Sequence, residues 1–398
     1  MLKFKFIDLF SGIGGFHQAM SQLGGECVLA SEIDSFCNAL YPKNYGIESD
    51  INIRDLDEKT QVPDHDVLCA GFPCQAFSKA GKQEGMKDET RGTLFFEIVR
   101  ILREKHPKYI ILENVRNLVS HDHHRTWSII RKTLIDCGYR LTEKPIIISP
   151  HQLGIPQLRE RVVILGKYEP SKVDEYLEIE IEANIKKDDN SIYDIVSKEM
   201  VDKKYYISEY EEKIINAWDE FYKGIDMVTI GFPIWADYFK CKDIPEEYPK
   251  WKKEFIRKNI KLYEDNKEFI DSWLKKYNDL KDFAPTHHKM EWQAGDSIQS
   301  LWEGVIQLRP SGIRVKKPTC FPALVAMVQI PIIGKYKRRL TVEEAGKLQS
   351  FPEPVRDEKL KDEKHFLCDS SDQQAYKQFG NSVNVEVIKY CAEKLFKK

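Results

Sequence analysis

Residues 3–41 switch between a two-residue and a 3.6-residue hydrophobic period, and few architectures satisfy both in close succession. The run KFKFIDLF at 3–10 alternates, then turns apolar and ends in Ser11-Gly12-Ile13-Gly14-Gly15, after which residues 16–23 carry helical spacing. Residues 26–30 read as a second strand ending at Ser31-Glu32, and 34–41 as a second helix. The rhythm continues with strands at 67–70 and 109–112, helices at 94–105 and 125–137, and strand-like runs at 145–149 and 161–165. Strands separated by helices predict an α/β fold, an open and mainly parallel sheet with helices on both faces. Ligands of such sheets bind at the carboxyl ends of the strands, so polar residues there are the first candidates for chemistry.

Past residue 168 the alternation stops and long charged stretches such as KEFIRKNIKLYEDNKEFIDSWLKKYNDLKD take over. A chain of 398 residues exceeds what one core usually sustains, so two domains are expected. Hydrophobic residues at 42% supply enough apolar surface for both cores, which excludes a disordered chain. Nine cysteines without a paired CxxC spacing argue against a structural zinc site and a disulfide framework, and point to a reducing cytoplasm. No apolar run is long enough for a membrane span or secretory signal, and no metal is expected. The net charge of -2 announces no nucleic-acid partner, although local clusters of Lys and Arg could still form a basic cleft.

Four segments at strand ends carry possible chemistry. The turn Phe10-Ser11-Gly12-Ile13-Gly14 is either a plain structural turn or, with Glu32 placed for ribose hydroxyls, an adenosine-type cofactor site. It lacks the pyrophosphate-binding GxGxxG, which favours S-adenosylmethionine. Cys74 in GFPCQAFS follows a strand and precedes a loop rich in glycine and lysine; it is either a small buried hydrophobe or an exposed thiolate. Glu113 in ENV is either a surface helix cap or a carboxyl kept protonated by burial. Arg159 and Arg161 in QLRER alternate onto one face, either as salt-bridge partners or to hold a carbonyl or phosphate.

In this order and spacing DLFSGIGGF, Glu32, Asp50-Ile51, GFPCQAFS, ENV, QLRER, RRLTVEEAGKLQSFPE and QFGNSVNVEV resemble the motifs of the cytosine-5 DNA methyltransferases. The resemblance covers residues 4–166 and about 338–396. It implies a Rossmann-like S-adenosylmethionine-dependent methyltransferase sheet and a second, smaller target-recognition domain. By similarity Cys74 attacks C6 of a flipped-out cytosine, Glu113 serves N3 and the exocyclic amine, and Arg161 with Arg159 holds O2. Phe10, Ser11, Gly12, Gly14, Glu32, Asp50, Ile51, Pro73, Asn381 and Ser382 would hold the cofactor, which leaves as S-adenosylhomocysteine. The returning C-terminal segment makes the catalytic domain 1–167 plus 371–398, with target recognition at 168–370.

Double-stranded DNA is the implied partner, with Gln75, Ser78, Lys79, Lys82 and Arg91 on the catalytic loop and Arg309, Arg314, Lys316 and Lys317 in QLRPSGIRVKKP available to it. Six of the seven tryptophans lie in the middle region, interleaved with lysines, as a nucleic-acid surface or as that domain's own core. Many family members carry Thr-Leu where this chain has Ala323-Leu324, and the charged insert at 195–283 has no family counterpart to assign. A bacterial, cytoplasmic, nucleoid-associated monomer is expected, beside a separately acting restriction endonuclease. A transfer-RNA methyltransferase of the same architecture would keep PCQ and ENV; the large middle region favours DNA.

Overall fold

The computed structural model describes residues 3–73, 94–225, 231–324 and 329–398. The larger unit is built on β1 (Phe4–Leu9), whose Phe6, Ile7, Asp8 and Leu9 are all buried, as expected of a strand covered on both faces. Beside it lie β2 (Gly25–Ser31) and β3 (Val67–Gly71), both parallel to it, and β4 (Tyr109–Val115) continues parallel to β3. The connecting helices are α1 (Gly15–Gln22), α2 (Ser35–Tyr45) and α3 (Leu94–Lys105), with the short α4 (Asn117–Ser120) and α5 (Arg125–Asp136) after β4. In α3 the buried Phe95, Ile98, Val99, Ile101 and Leu102 form one apolar stripe against the sheet.

Beyond β4 the sheet turns antiparallel, which the expectation of a mainly parallel sheet did not include. After β5 (Tyr139–Leu141), β6 (Ile146–Ile148) and the two-residue β7 (Gln157–Leu158), the long β8 (Arg161–Tyr168) runs antiparallel to β4, β5 and β6. A parallel return needs a crossover of a dozen or more residues, usually helical, and none of these short links holds such a helix. The order is β2-β1-β3-β4-β8-β5, with β6 on β8. Strand order reverses at β1 and β3, so the crevice for a ligand opens at Leu9 and Gly71.

The second unit comprises 191–322 and 327–341. It contains α6 (Glu209–Gly224), β9 (Ile234–Trp235), α7 (Lys250–Asp265), α8 (Lys267–Lys276), β10 (Lys289–Gln293), β11 (Val305–Arg309), β12 (Gly312–Lys316), β13 (Phe321–Pro322), β14 (Ile332–Ile333) and β15 (Arg338–Arg339). Its sheet has the order β15-β14-β11-β12-β10-β9. Met290, Trp292, Ile306, Ile313 and Val315 on that sheet share a core with Ile214, Trp218 and Phe221 of α6 and Ile270 and Trp273 of α8. Three of the tryptophans that sequence left open are thus core, whereas Trp251 is 57% exposed.

The chain then returns to the larger unit through α9 (Val342–Leu348), α10 (Asp372–Asn381) and α11 (Val385–Phe396). That unit holds 1–190, 323–326 and 342–398, wider than the expected 1–167 plus 371–398. Residues 169–190 stay with it because Leu177 N donates to Leu141 O (2.8 Å) and Glu182 N to the Tyr390 hydroxyl (2.8 Å). Residues 342–370 stay because Phe351 and Phe366 cluster with Phe379 and Asn384 Nδ2 donates to Leu348 O at 3.1 Å.

Beneath the first turn the Tyr41 hydroxyl lies 2.8 Å from His17 Nδ1 and 3.2 Å from Asp8 Oδ2, while Tyr45 stacks on the His17 ring at 3.9 Å. Burial pushes the Asp8 carboxyl well above its usual range and lowers His17 to about 4. As pH falls through 6.5 the unfolded chain protonates His17 while the folded chain does not, so stability is lost down to about pH 4. Relative to His17→Gln, the protein is expected to lose about 3 kcal/mol over that window. Denaturant unfolding of both proteins at several pH values checks this.

Candidate active site

The turn from β1 into α1 places Phe10, Gly12 and Gly14 in the left-handed region at φ 57°, 53° and 84°. Its backbone is tied to the end of β2 by Ser11 N donating to Ser31 O at 3.0 Å. Glu32, at the end of β2, has its carboxylate fixed by three backbone donors: Gly12 N (2.8 Å), Ile33 N (2.7 Å) and Asp34 N (2.9 Å). A carboxylate oriented in this way is prepared to accept from a ligand's hydroxyls. A Cβ at Gly15 would stand 2.6 Å from Ser382 Oγ and 3.0 Å from Val383 O, so only glycine admits the C-terminal segment at this distance.

A cavity of about 490 Å³ opens at these strand ends, lined among others by Phe10, Ser11, Gly12, Glu32, Pro73, Glu113, Arg159, Arg161, Asn381 and Ser382. These all belong to the set expected from sequence. Gly14, Asp50 and Ile51 are not among its lining. Gly14 instead lies against Tyr45, whose ring would be 2.3 Å from an added Cβ. Asp50 is exposed, Ile51 O accepts from Ser31 Oγ at 2.7 Å, and the next residues, Asn52 and Ile53, line the cavity.

Sequence reasoning missed the face of α10 that carries Gln374, Lys377 and Gln378, all in the lining. Their i, i+3, i+4 spacing, continuing to the expected Asn381, is the signal that could have found them. Lys377 pairs with Asp34 at 3.1 Å; burial raises the Asp34 pKa, but Lys377 and the amides of Cys37 and Phe36 outweigh it and hold the carboxyl below its usual value. Ser11 Oγ, Gln374 Nε2, Gln378 Nε2 and Arg159 Nε are buried around the cavity without partners among the described residues, a costly state that a polar ligand would relieve.

Elsewhere in the lining Glu113, two residues before the end of β4, lies opposite Gly71 of β3, and Arg161 opens β8 opposite Val115. Arg161 Nε is 3.1 Å from Glu113 Oε1. Burial raises the Glu113 pKa; Arg161 and then Arg159 pull it down without cancelling the rise. Arg159 is 3% exposed and donates to Gly380 O (2.9 Å) and Ser382 O (2.8 Å). Burial, followed by Arg161, lowers its pKa to about 9. Both Arg159 Nη groups are thereby engaged with the returning segment, so of the pair it is Arg161 whose guanidinium faces the carboxyl. Asn114 Nδ2 donates to Phe72 O at 2.8 Å, fixing the chain that leads to Pro73.

Cys74, Gln75, Ser78, Lys79, Lys82 and Arg91 lie outside the described residues. Pro73, the covalent neighbour of Cys74, lines the cavity. Arg309, Arg314 and Lys316 fall in the smaller unit, the first two bound to Glu291 at 2.8 Å.

A doubly wound sheet with a nucleoside-sized crevice at its switch point, an anchored acidic residue on one side and a buried carboxyl with two arginines on the other, is the arrangement of an S-adenosyl-dependent methyltransferase fold. The family model of C-5 cytosine-specific DNA methylases matches residues 4–397, and the chain belongs to that family: it is a DNA cytosine-5 methyltransferase. It is 34% identical to the type II methyltransferase M.AluI of Cellulosimicrobium cellulans over 98% of this chain and 91% of that one. It is 32% identical to M1.ScrFI of Lactococcus lactis subsp. cremoris, over 99% of this chain and 78% of that one. To M.HhaI of Haemophilus parahaemolyticus it is 47% identical over 40% of this chain and 48% of that one. Among solved structures, Dnmt2 methyltransferase of S. pombe superposes with TM-score 0.51 at 20% identity, covering 99% of this chain and 98% of that one, a likeness of fold.

Because Arg159 satisfies two buried carbonyls, Arg159→Met is expected to lower the unfolding free energy by about 2–3 kcal/mol. Denaturant titration checks it, and an unchanged midpoint would contradict the anchoring role.

Proposed function

We propose that this enzyme methylates C5 of a cytosine extruded from duplex DNA, through a covalent bond between Cys74 and C6, as part of a bacterial restriction–modification system with a separate endonuclease. The observation that carries the reading is a buried Glu113 with a raised pKa, paired with Arg161 in the wall of the cavity. Cytosine C5 is a poor nucleophile until the ring is activated. The Cys74 thiolate adds to C6, forming S–C6 and pushing the C5–C6 electron pair toward the N3 side of the ring. Glu113, its pKa raised by burial, donates a proton at N3 and accepts from the exocyclic amine, and Arg161 holds O2. Loss of the C5 proton after methylation restores the C5–C6 double bond and expels the thiolate.

The cavity fits S-adenosylmethionine: Ser11 Oγ, Gln374 Nε2 and Gln378 Nε2, without partners among the described residues, and the oriented Glu32 carboxylate offer polar contacts, and Phe10 an aromatic face. When bound, this cofactor supplies an electrophilic methyl group. Glu32 would take its ribose hydroxyls, and Asn381 with Ser382 would close on the amino-acid end. A duplex base is unreachable by this chemistry, so extrusion is required, at a cost of a few kcal/mol. The type II names of M.AluI, M1.ScrFI and M.HhaI support the restriction–modification setting. The smaller unit would read the target sequence.

Transfer of labelled methyl to duplex DNA and to transfer RNA tests the reading. Label is expected on duplex DNA, and label on RNA alone would overturn it. Cys74→Ala is expected to abolish transfer while leaving DNA binding intact. Glu113→Gln is expected to lower kcat by about 10²–10⁴. The rate of the unmodified enzyme falls as rising pH removes the Glu113 proton, and the variant loses that alkaline limb.

A further inference from the structure

The sheet of the smaller unit has one face in its core; the other is unused by the mechanism. Side chains alternate along each strand, so Met290 and Trp292, Ile313 and Val315, and Ile306 face the helices. Glu291 and Gln293 of β10, Arg314 and Lys316 of β12, and Gln307 and Arg309 of β11 occupy the alternate positions. Glu291, Arg314 and Gln307 lie directly across the three strands from one another. The β11–β12 hairpin is drawn against β10 at Gly312, where φ is +124° and an added Cβ would meet Lys289 Cβ at 2.9 Å.

One carboxylate organises this face. Glu291 Oε2 accepts from Arg309 Nη2 (2.8 Å), Arg314 Nε (2.9 Å) and Arg314 Nη2 (2.8 Å), and Gln293 Nε2 donates to Oε1. Burial raises the Glu291 pKa, but Arg314 and Arg309 outweigh it and keep the group ionised. The three side chains remain only partly exposed, at 29% for Glu291, 15% for Arg309 and 26% for Arg314. Without the carboxylate two neighbouring guanidiniums would repel and lose their shared orientation. With it, Arg309 spends its Nη2 and Arg314 its Nε and Nη2 edge, and among the described residues the Nη1 group of each is left to spare. Rigid guanidiniums with spare donors on a positive sheet face suit the O6 and N7 acceptors of guanine in the major groove.

We propose that Glu291 is a positioning residue for target reading, holding Arg309 and Arg314 side by side so that their remaining donors meet a guanine edge of the recognition sequence. The proposal rests on the reading above, that this unit recognises DNA. The test begins with the unmodified enzyme on a random-sequence duplex library, its methylated cytosines located by bisulfite sequencing. Steady-state methylation of the site found, and of singly substituted sites, is then compared with Glu291→Ala and Glu291→Gln, alongside thermal unfolding and S-adenosylhomocysteine binding.

The expected result is a 5- to 100-fold loss of kcat/KM on the found site, carried by KM for DNA. Discrimination at one or more guanine positions collapses, S-adenosylhomocysteine affinity is unchanged, and Glu291→Gln is milder. If Glu291→Ala unfolds, discrimination by Glu291→Gln decides. Uniformly weaker methylation with discrimination intact would mean phosphate contacts and overturn the proposal, as would unchanged kinetics. An unmodified enzyme that methylates no duplex DNA fails at the first step and removes the functional reading together with the inference.

Discussion

Burial and two guanidiniums pull the proton of Glu113 in opposite directions, and burial prevails. The balance follows from where the strands end. Parallel pairing of β3 with β4 sets Glu113 opposite Gly71, and antiparallel β8 brings Arg161 opposite Val115, so carboxyl and guanidinium meet at 3.1 Å. Had β8 run parallel to β4, Arg161 at its start would stand at the other end of the sheet. The antiparallel half is therefore what brings Arg161 to this carboxyl.

The second dependence is on chain closure. Arg159, two residues before β8's Arg161 in sequence, holds the carbonyls of Gly380 and Ser382, while Gly15 leaves room for Ser382 and Val383 against α1. One pair of alternating arginines thus divides its work: one fixes the segment that completes the cavity, the other faces the carboxyl. Residues 380–383, which Arg159 holds, line the cavity together with Glu32 and Glu113.

Much of this was legible from local sequence. The turn at 10–15 and Glu32 could be placed because a glycine turn after an apolar strand fixes where the strand ends, and strand ends line the crevice. Asp50 could not, since the chain at 49–53 follows no regular period and the residues reaching the cavity are Asn52 and Ile53. The pairing of Lys377 with Asp34 joins positions far apart in sequence and leaves no periodic trace. The outer limits of the larger unit were misplaced for the same reason: Leu177 and Phe351 are held by long-range hydrogen bonds and ring contacts. In the middle region the spacing of tryptophans and lysines did not separate core from surface, because a tryptophan on an amphipathic helix looks the same whichever way the helix faces.

The most direct measurement is denaturing electrophoresis of the enzyme with cofactor and duplex DNA carrying 5-fluorocytosine at the methylated position. After methyl transfer the fluorine cannot leave C5 as a proton does, so the S–C6 bond should persist. A stable protein–DNA adduct is expected with the unmodified enzyme and none with Cys74→Ser. An active enzyme that forms no adduct, or an adduct that survives loss of Cys74, would contradict it.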